Sequence, residues 1–147
     1  LYPEKAPVTV KNFLDLVESD FFSGLIFHRV IKGFMIQGGG FDADFNQKKA
    51  ASIKGEFMAN GFMSNDLRHT RGVLSMARTS DPNSASSQFF IMHQNAPHLD
   101  AQYAGFGKVI EGLEVIDSIA NSRTFSRGWY DDVPVDTVVI EKVEVIE

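Results

Sequence analysis

The chain has 147 residues, a formal net charge of −5, 44% hydrophobic and 22% charged residues, a balance expected of one soluble domain over residues 1–147 with a sizeable core. The absence of cysteine excludes disulfides, thiolate metal sites and a cysteine nucleophile. No run of Lys or Arg exceeds two residues and no apolar run approaches the roughly 20 residues of a membrane span, so neither nucleic acid nor membrane is an expected partner.

The chain begins at Leu1 rather than Met, so the natural N-terminus, with any signal peptide, is expected upstream. Within residues 6–22, Pro7 suits a first helical turn. Val10, Phe13, Leu14 and Val17 follow the spacing of an amphipathic helix. Strand-like runs follow at 25–31, 35–38, 71–77, 88–93 and 105–110. A second helix over 111–122 carries Leu113, Ile116, Ile119 and Ala120 on one face. A last strand is expected over 136–146, where Val138, Ile140, Val143 and Val145 alternate with polar residues. Strands at this spacing suggest a closed barrel or a sandwich, with the helices capping the ends of a barrel. Its first strand would survive only as Leu1 and Tyr2 before Pro3. The connections 39–70, 78–87, 94–104 and 123–135 read as long ordered loops, which in a compact domain are usually functional. Thirteen phenylalanines predict an aromatic interior or a Phe-lined groove.

The run FHRVIKGFMIQGGG, residues 27–40, places an arginine and a glutamine inside an apolar hairpin. With a three-residue loop at 32–34 and Gly33 in the left-handed conformation, Ile31 pairs with Met35 and Arg29 with Gln37. Opposed residues share a face, so Arg29, Met35 and Gln37 line one surface with Phe34 at its edge. Phe27 joins that face by its spacing. His28, Val30 and Ile36 point into the core. On the hairpin alone the commoner case, an outer-face arginine with a solvated head, is favoured.

Other motifs carry less. Gly38, Gly39 and Gly40 lack the context of a phosphate loop and read as backbone permissiveness at a bulge or bend. Asp42, Asp44 and Asn46 alternate like a calcium loop, but Gln47 and Ile53 occupy its two most demanding positions. His28, His69, His93 and His98 show no metal-ligand spacing, and no metal is expected. His28 reads as a core residue and His69 as a loop residue. The serines at 84–87 lack a nucleophile-elbow context.

With one face of the hairpin assigned, the chain resembles a cyclophilin-type peptidyl-prolyl cis-trans isomerase over almost its whole length. FHRVIKGFMIQGGG, GVLSMART (72–79), SSQFFI (86–91) and HLDAQYAGFGKV (98–109) match family blocks in order. The wording of residues 76–90 and the long loop after the glycines look like a bacterial branch. The resemblance implies an eight-stranded antiparallel barrel with a helix at each end, its first strand truncated here. It implies Arg29 as the catalytic residue, Phe34, Met35, Phe90 and Leu99 as the proline pocket, and Gln37 as the brace of Arg29 and a contact to substrate backbone. Ala77 and Arg78 would lie along the residues preceding proline, and Gln88 near a neighbouring subsite. His98 and Tyr103 would complete the substrate-binding set.

Three of these positions depart from a frequent family pattern. Arg78 stands where Asn is common, and its added charge is expected to alter substrate preference. His98 replaces a Trp that helps bind cyclosporin, so weakened affinity for that ligand is expected. Tyr103 replaces a His and keeps an aromatic wall with a hydrogen-bonding tip. The resemblance further implies no cofactor, proline-containing peptides and unfolded or flexible protein segments as partners, a folding role, a monomer and a cytoplasmic location. The rival reading is a non-catalytic proline-peptide binding module, which the three departures favour and Arg29 opposes.

Overall fold

The computed structural model describes residues 1–146. Helix α1, Pro7–Glu18, starts on its proline and buries Thr9, Val10, Phe13 and Val17. Its preceding residue, Ala6, offers no side-chain cap. A carboxylate from the long loop serves instead: Glu56, 2% exposed, accepts from the backbone N–H of Val8 (3.2 Å) and Thr9 (2.7 Å) and from the Thr9 hydroxyl (2.7 Å). Those amides belong to the first turn, which has no intrahelical acceptors for them.

Five strands form one antiparallel sheet: β1 Arg29–Ile31, β2 Met35–Gly38, β3 Val73–Met76, β4 Phe89–Met92 and β5 Gly105–Lys108, in the order β1-β2-β4-β3-β5. Helix α2, Leu113–Ala120, follows and buries Ile116 and Ala120. The β1–β2 register is the expected one, Arg29 opposite Gln37 and Ile31 opposite Met35. Gly33 takes the predicted left-handed conformation at φ 82°.

Every residue of β4 is buried, because both faces of the sheet are covered. Alternation sends Phe89 and Ile91 to a large core with Val30 and Ile36. There Phe13 is the hub, its ring 5.2 Å from those of Phe22 and Phe106 and 5.5 Å from Phe89. This is the aromatic interior that the phenylalanine count predicts. Phe90 and Met92 face the other way, into a smaller cluster with Met35, Val73, Ala96 and Leu99.

Several expectations change. Phe27 leaves the face of Arg29 and packs in the large core, 6.0 Å from Phe89. It lies outside β1, and alternation does not carry through to it. The segment 123–135, expected as a loop, contains a second sheet of β6 Thr124–Arg127 and β7 Tyr130–Pro134. The expected strands at both ends are reduced to isolated contacts. Val139 bridges Ile26, and the Ile140 N–H donates to the Leu25 carbonyl at 2.7 Å. Near the start, the Tyr2 N–H donates to the Phe106 carbonyl at 2.8 Å. Regular pairing among the described residues is therefore one five-stranded and one two-stranded sheet.

The triple glycine is a close-approach site. A Cβ on Gly38 would stand 2.6 Å from the Ile26 carbonyl oxygen, and Gly39 has φ 90°. Asp42 closes its own loop, accepting from the N–H groups of Asp44 and Asn46 at 3.0 and 2.9 Å, a short polar turn.

Candidate active site

Strand register builds a row across the outer face of the sheet. Arg29 lies opposite Gln37, Gln37 opposite Phe90, and Phe90 opposite Ser75. Because opposed residues share a face, a guanidinium, an amide, a phenyl ring and a hydroxyl follow one another at sheet spacing. Met35 and Met92 form the neighbouring pair on the same face.

Arg29, Gln37 and Phe90 of this row line a cavity of about 130 Å³, together with Phe34, Met35, Ala77, Arg78, Leu99 and Tyr103. Arg29 is exposed at the rim and donates through NH1 to Gln37 Oε1 at 3.3 Å. Gln37 Nε2 donates in turn to Gln88 Oε1 at 3.0 Å. Gln37 is thus held from behind while it orients Arg29. The cavity's apolar walls include Phe34, Met35, Phe90 and Leu99, of which all but Phe34 are buried.

Two predicted site residues fall outside the cavity lining. Gln88 belongs to an adjoining depression, with Gln37, Ala77, Arg78 and Ser84 among its walls. His98 is exposed and stacks on Phe34, ring centroids 5.7 Å apart. It supports one wall from outside.

Arg78 is more constrained than a free surface charge. Its guanidinium lies between the rings of Phe57 (4.7 Å) and Tyr103 (4.6 Å). NH1 donates to the Thr79 carbonyl at 2.9 Å and NH2 to the Gln102 carbonyl at 2.7 Å. The two departures at 78 and 103 are in contact, and the cation–π stack fixes Tyr103 as the side wall.

Beneath Phe90 lies a buried loop residue that the expected site does not include. His69, 1% exposed, stacks against Phe90 with centroids 6.0 Å apart. Its Nε2 is 2.8 Å from Ser75 Oγ and its Nδ1 is 3.3 Å from Asp100 Oδ1. Burial pushes the His69 imidazole below the usual histidine range, against the pull of Asp100. A neutral ring donating from Nδ1 to Asp100 and accepting at Nε2 from Ser75 satisfies all three groups. This serine–histidine–aspartate chain is no nucleophile, since Ser75 is 0% exposed under the cavity floor. It holds the floor, and through Asp100 the adjacent wall residue Leu99. The sequence signal was a lone Ser on the same strand face as buried Val73.

The arrangement can seat a small apolar ring against Phe90 and present a fixed guanidinium to whatever bond leaves that ring at the rim. Neither a carboxylate nor a serine or cysteine is among the cavity's lining residues.

The chain is similar to known proteins of one family. Residues 1–145 match the family model described as cyclophilin type peptidyl-prolyl cis-trans isomerase. The chain is 50% identical over 151 residues to a peptidyl-prolyl cis-trans isomerase of Acinetobacter baylyi, covering 99% of this chain and 77% of the relative. It is 44% identical over 155 residues to peptidyl-prolyl cis-trans isomerase B of Escherichia coli, covering 99% and 91%. The crystal structure of a Cryptosporidium parvum cyclophilin type peptidyl-prolyl cis-trans isomerase, in the presence of the dipeptide Ala-Pro, superposes with a TM-score of 0.77. That match has 32% identity and covers 97% of this chain and 87% of that one.

Proposed function

The chain belongs to the cyclophilin-type peptidyl-prolyl cis-trans isomerase family and is such an isomerase; from that premise we infer that Arg29 is its catalytic residue and that Phe34, Met35, Phe90 and Leu99 hold the substrate's proline ring. An X-Pro bond resists rotation because C–N resonance sets a barrier of roughly 18–20 kcal/mol. In the twisted transition state that resonance is lost, and the prolyl nitrogen becomes pyramidal with a localised lone pair. A guanidinium aimed at that nitrogen bonds a group that hardly exists in the planar ground state, so the interaction is selective for the transition state. Neither proton transfer nor a covalent intermediate is needed. Arginine suits the task because it stays charged and planar.

Magnitudes divide the labour. A rate gain of about 10⁵ takes about 7 kcal/mol. One charge-assisted hydrogen bond supplies about 1.5–3 kcal/mol. The remainder falls to clamping of the ring and to an environment too apolar to favour the dipolar planar amide. The observation that carries the reading is the Arg29–Gln37 bond of 3.3 Å at the rim of a cavity walled by Phe34, Met35, Phe90 and Leu99. Gln37 braces the guanidinium, and most of the five N–H donors stay available to a substrate.

Proline-containing segments of unfolded or flexible chains follow as the substrate class, with Ala77 and Arg78 beside the residues preceding proline and Gln88 near a neighbouring subsite. The Ala-Pro dipeptide named with the Cryptosporidium parvum structure supports that class. The architecture is inferred to be the family's closed eight-stranded barrel. Its support is the Tyr2–Phe106 hydrogen bond at one edge of the five-stranded sheet and the Ile26–Val139 bridge beside β1. The catalytic assignment is tested by isomerisation of an Ala-Pro peptide in a coupled-proteolysis assay. Arg29→Ala is expected to lose about ten- to hundredfold in rate, with Arg29→Lys between it and the native enzyme. Equal rates in all three proteins would remove Arg29 from the mechanism.

A further inference from the structure

His93 follows β4 directly, lies behind the β1–β2 turn and takes no part in lining the cavity. It is 7% exposed, and the turn residues Lys32 and Gly33 in front of it are exposed. The turn has little to hold it: a Cβ at Gly33 would meet nothing within 4 Å. Its own hydrogen bond runs from the Phe34 N–H to the Ile31 carbonyl at 3.0 Å. His93 supplies two more. Its Nδ1 accepts from the Gly33 N–H at 2.9 Å, and its backbone N–H donates to the Phe34 carbonyl at 2.9 Å.

The ring's orientation is fixed from the other side. A backbone N–H can only donate, so Nδ1 facing Gly33 is the bare nitrogen and the ring proton sits on Nε2. That proton points to Asp117 Oδ1, 3.1 Å away on α2. Asp117 is gripped in turn by both guanidinium nitrogens of Arg71, at 2.6 and 2.9 Å. Arg71 NH1 also donates to the carbonyl of His93 itself at 3.1 Å. The imidazole cannot turn without breaking a bond at each end.

We propose that His93 is a positioning residue for the isomerase: anchored by Asp117 and Arg71, it clamps Gly33 and Phe34 and so fixes one wall of the proline pocket from α2. The proposal rests on Phe34 being a pocket wall. It makes the turn's geometry depend on a side chain that the substrate never touches.

Two substitutions separate the ring's two contacts. His93→Asn places an amide oxygen near the position of Nδ1 and keeps an acceptor for Gly33. His93→Gln reaches toward Asp117 in place of Nε2 and leaves Gly33 without one. Amide hydrogen exchange at Gly33 and isomerisation of an Ala-Pro peptide are measured on both. The Asn variant, which keeps the Gly33 contact and loses the anchor, is expected between the native protein and the Gln variant in both readouts. In the Gln variant Gly33 is expected to exchange about fivefold faster, and kcat/KM to fall about fivefold through KM, the worth of one ordinary hydrogen bond. Equal Gly33 exchange in the two variants would overturn the clamp. Faster exchange in the Gln variant with unchanged kinetics would overturn the positioning role and locate the error in the pocket reading. The native protein gives a reading independent of variant folding: nitrogen NMR is expected to show the Nε2–H tautomer of His93, and the Nδ1–H tautomer would overturn the proposal.

Discussion

Gly40 has no side chain, and the space beside it is filled by Gln88. A Cβ there would stand 2.5 Å from both Cγ and Nε2 of Gln88. The obstructing atoms are the mobile end of a side chain, so Gly40→Ala is expected to cost little stability. It would instead drive Gln88 away from Gln37 and release the brace of Arg29. We expect a fall of about threefold to tenfold in kcat/KM, the effect of losing one hydrogen bond behind the catalytic group, with the urea midpoint shifted little. At this scale the hairpin was the most legible part of the chain. Gly33 set the turn, and alternation then placed Arg29 opposite Gln37. Phe27 was misplaced because alternation was extended past the end of the strand. The surroundings of His69, a loop residue as expected, and of Arg78 were not legible for a different reason. Their environments come from Asp100, Ser75, Phe57 and Tyr103, which only tertiary structure brings to them.

At the scale of elements, α1 depends on a residue nearly fifty positions away. Glu56 accepts three hydrogen bonds at the start of the helix and is almost wholly buried. Glu56→Ala leaves these donors without a partner, and we expect a loss of about 3 kcal/mol in urea unfolding. Glu56→Gln keeps one acceptor oxygen and should lose less. Equal stability of the alanine variant and the native protein would show that water or another group caps α1. The helix itself was legible from Pro7 and the spacing of Val10, Phe13 and Val17. Its cap was not, since no local pattern announces a distant carboxylate. The β6–β7 hairpin was missed because most of its residues are exposed and no apolar alternation marks them. The available signal was Gly128, at φ 61° in the two-residue turn between Arg127 and Tyr130, a position where hairpins favour glycine.

For the whole molecule, acid stability is expected to depend in part on the residue just before β1. His28 is 4% exposed, its ring 4.7 Å from Phe41, and its Nδ1 has no hydrogen-bond partner among the described residues. Burial, reinforced by the charge of Arg29, pushes its pKa down to about 4. Above pH 6.5 the ring is neutral in both folded and unfolded chains and costs nothing. As pH falls from there toward 4, the unfolded chain takes up a proton that the folded chain refuses, so stability declines. The total is about 3 kcal/mol, complete once pH passes below the folded value. His28→Phe is expected to remove that share of the acid sensitivity between pH 6.5 and 4, measured by urea unfolding across the range. An unchanged pH profile would show that the buried ring does not govern it.

The residue after His28, Arg29, opens β1 on its outer face, and its guanidinium is expected to act on the twisted bond rather than on binding. The most direct measurement follows one Ala-Pro peptide by NMR with native protein and with Arg29→Ala, reading peptide affinity and cis-trans exchange in the same samples. The account predicts affinity within about threefold of the native protein, set by the apolar pocket, and exchange slowed at least about tenfold. Exchange at the native rate in a folded, peptide-binding Arg29→Ala variant would contradict it.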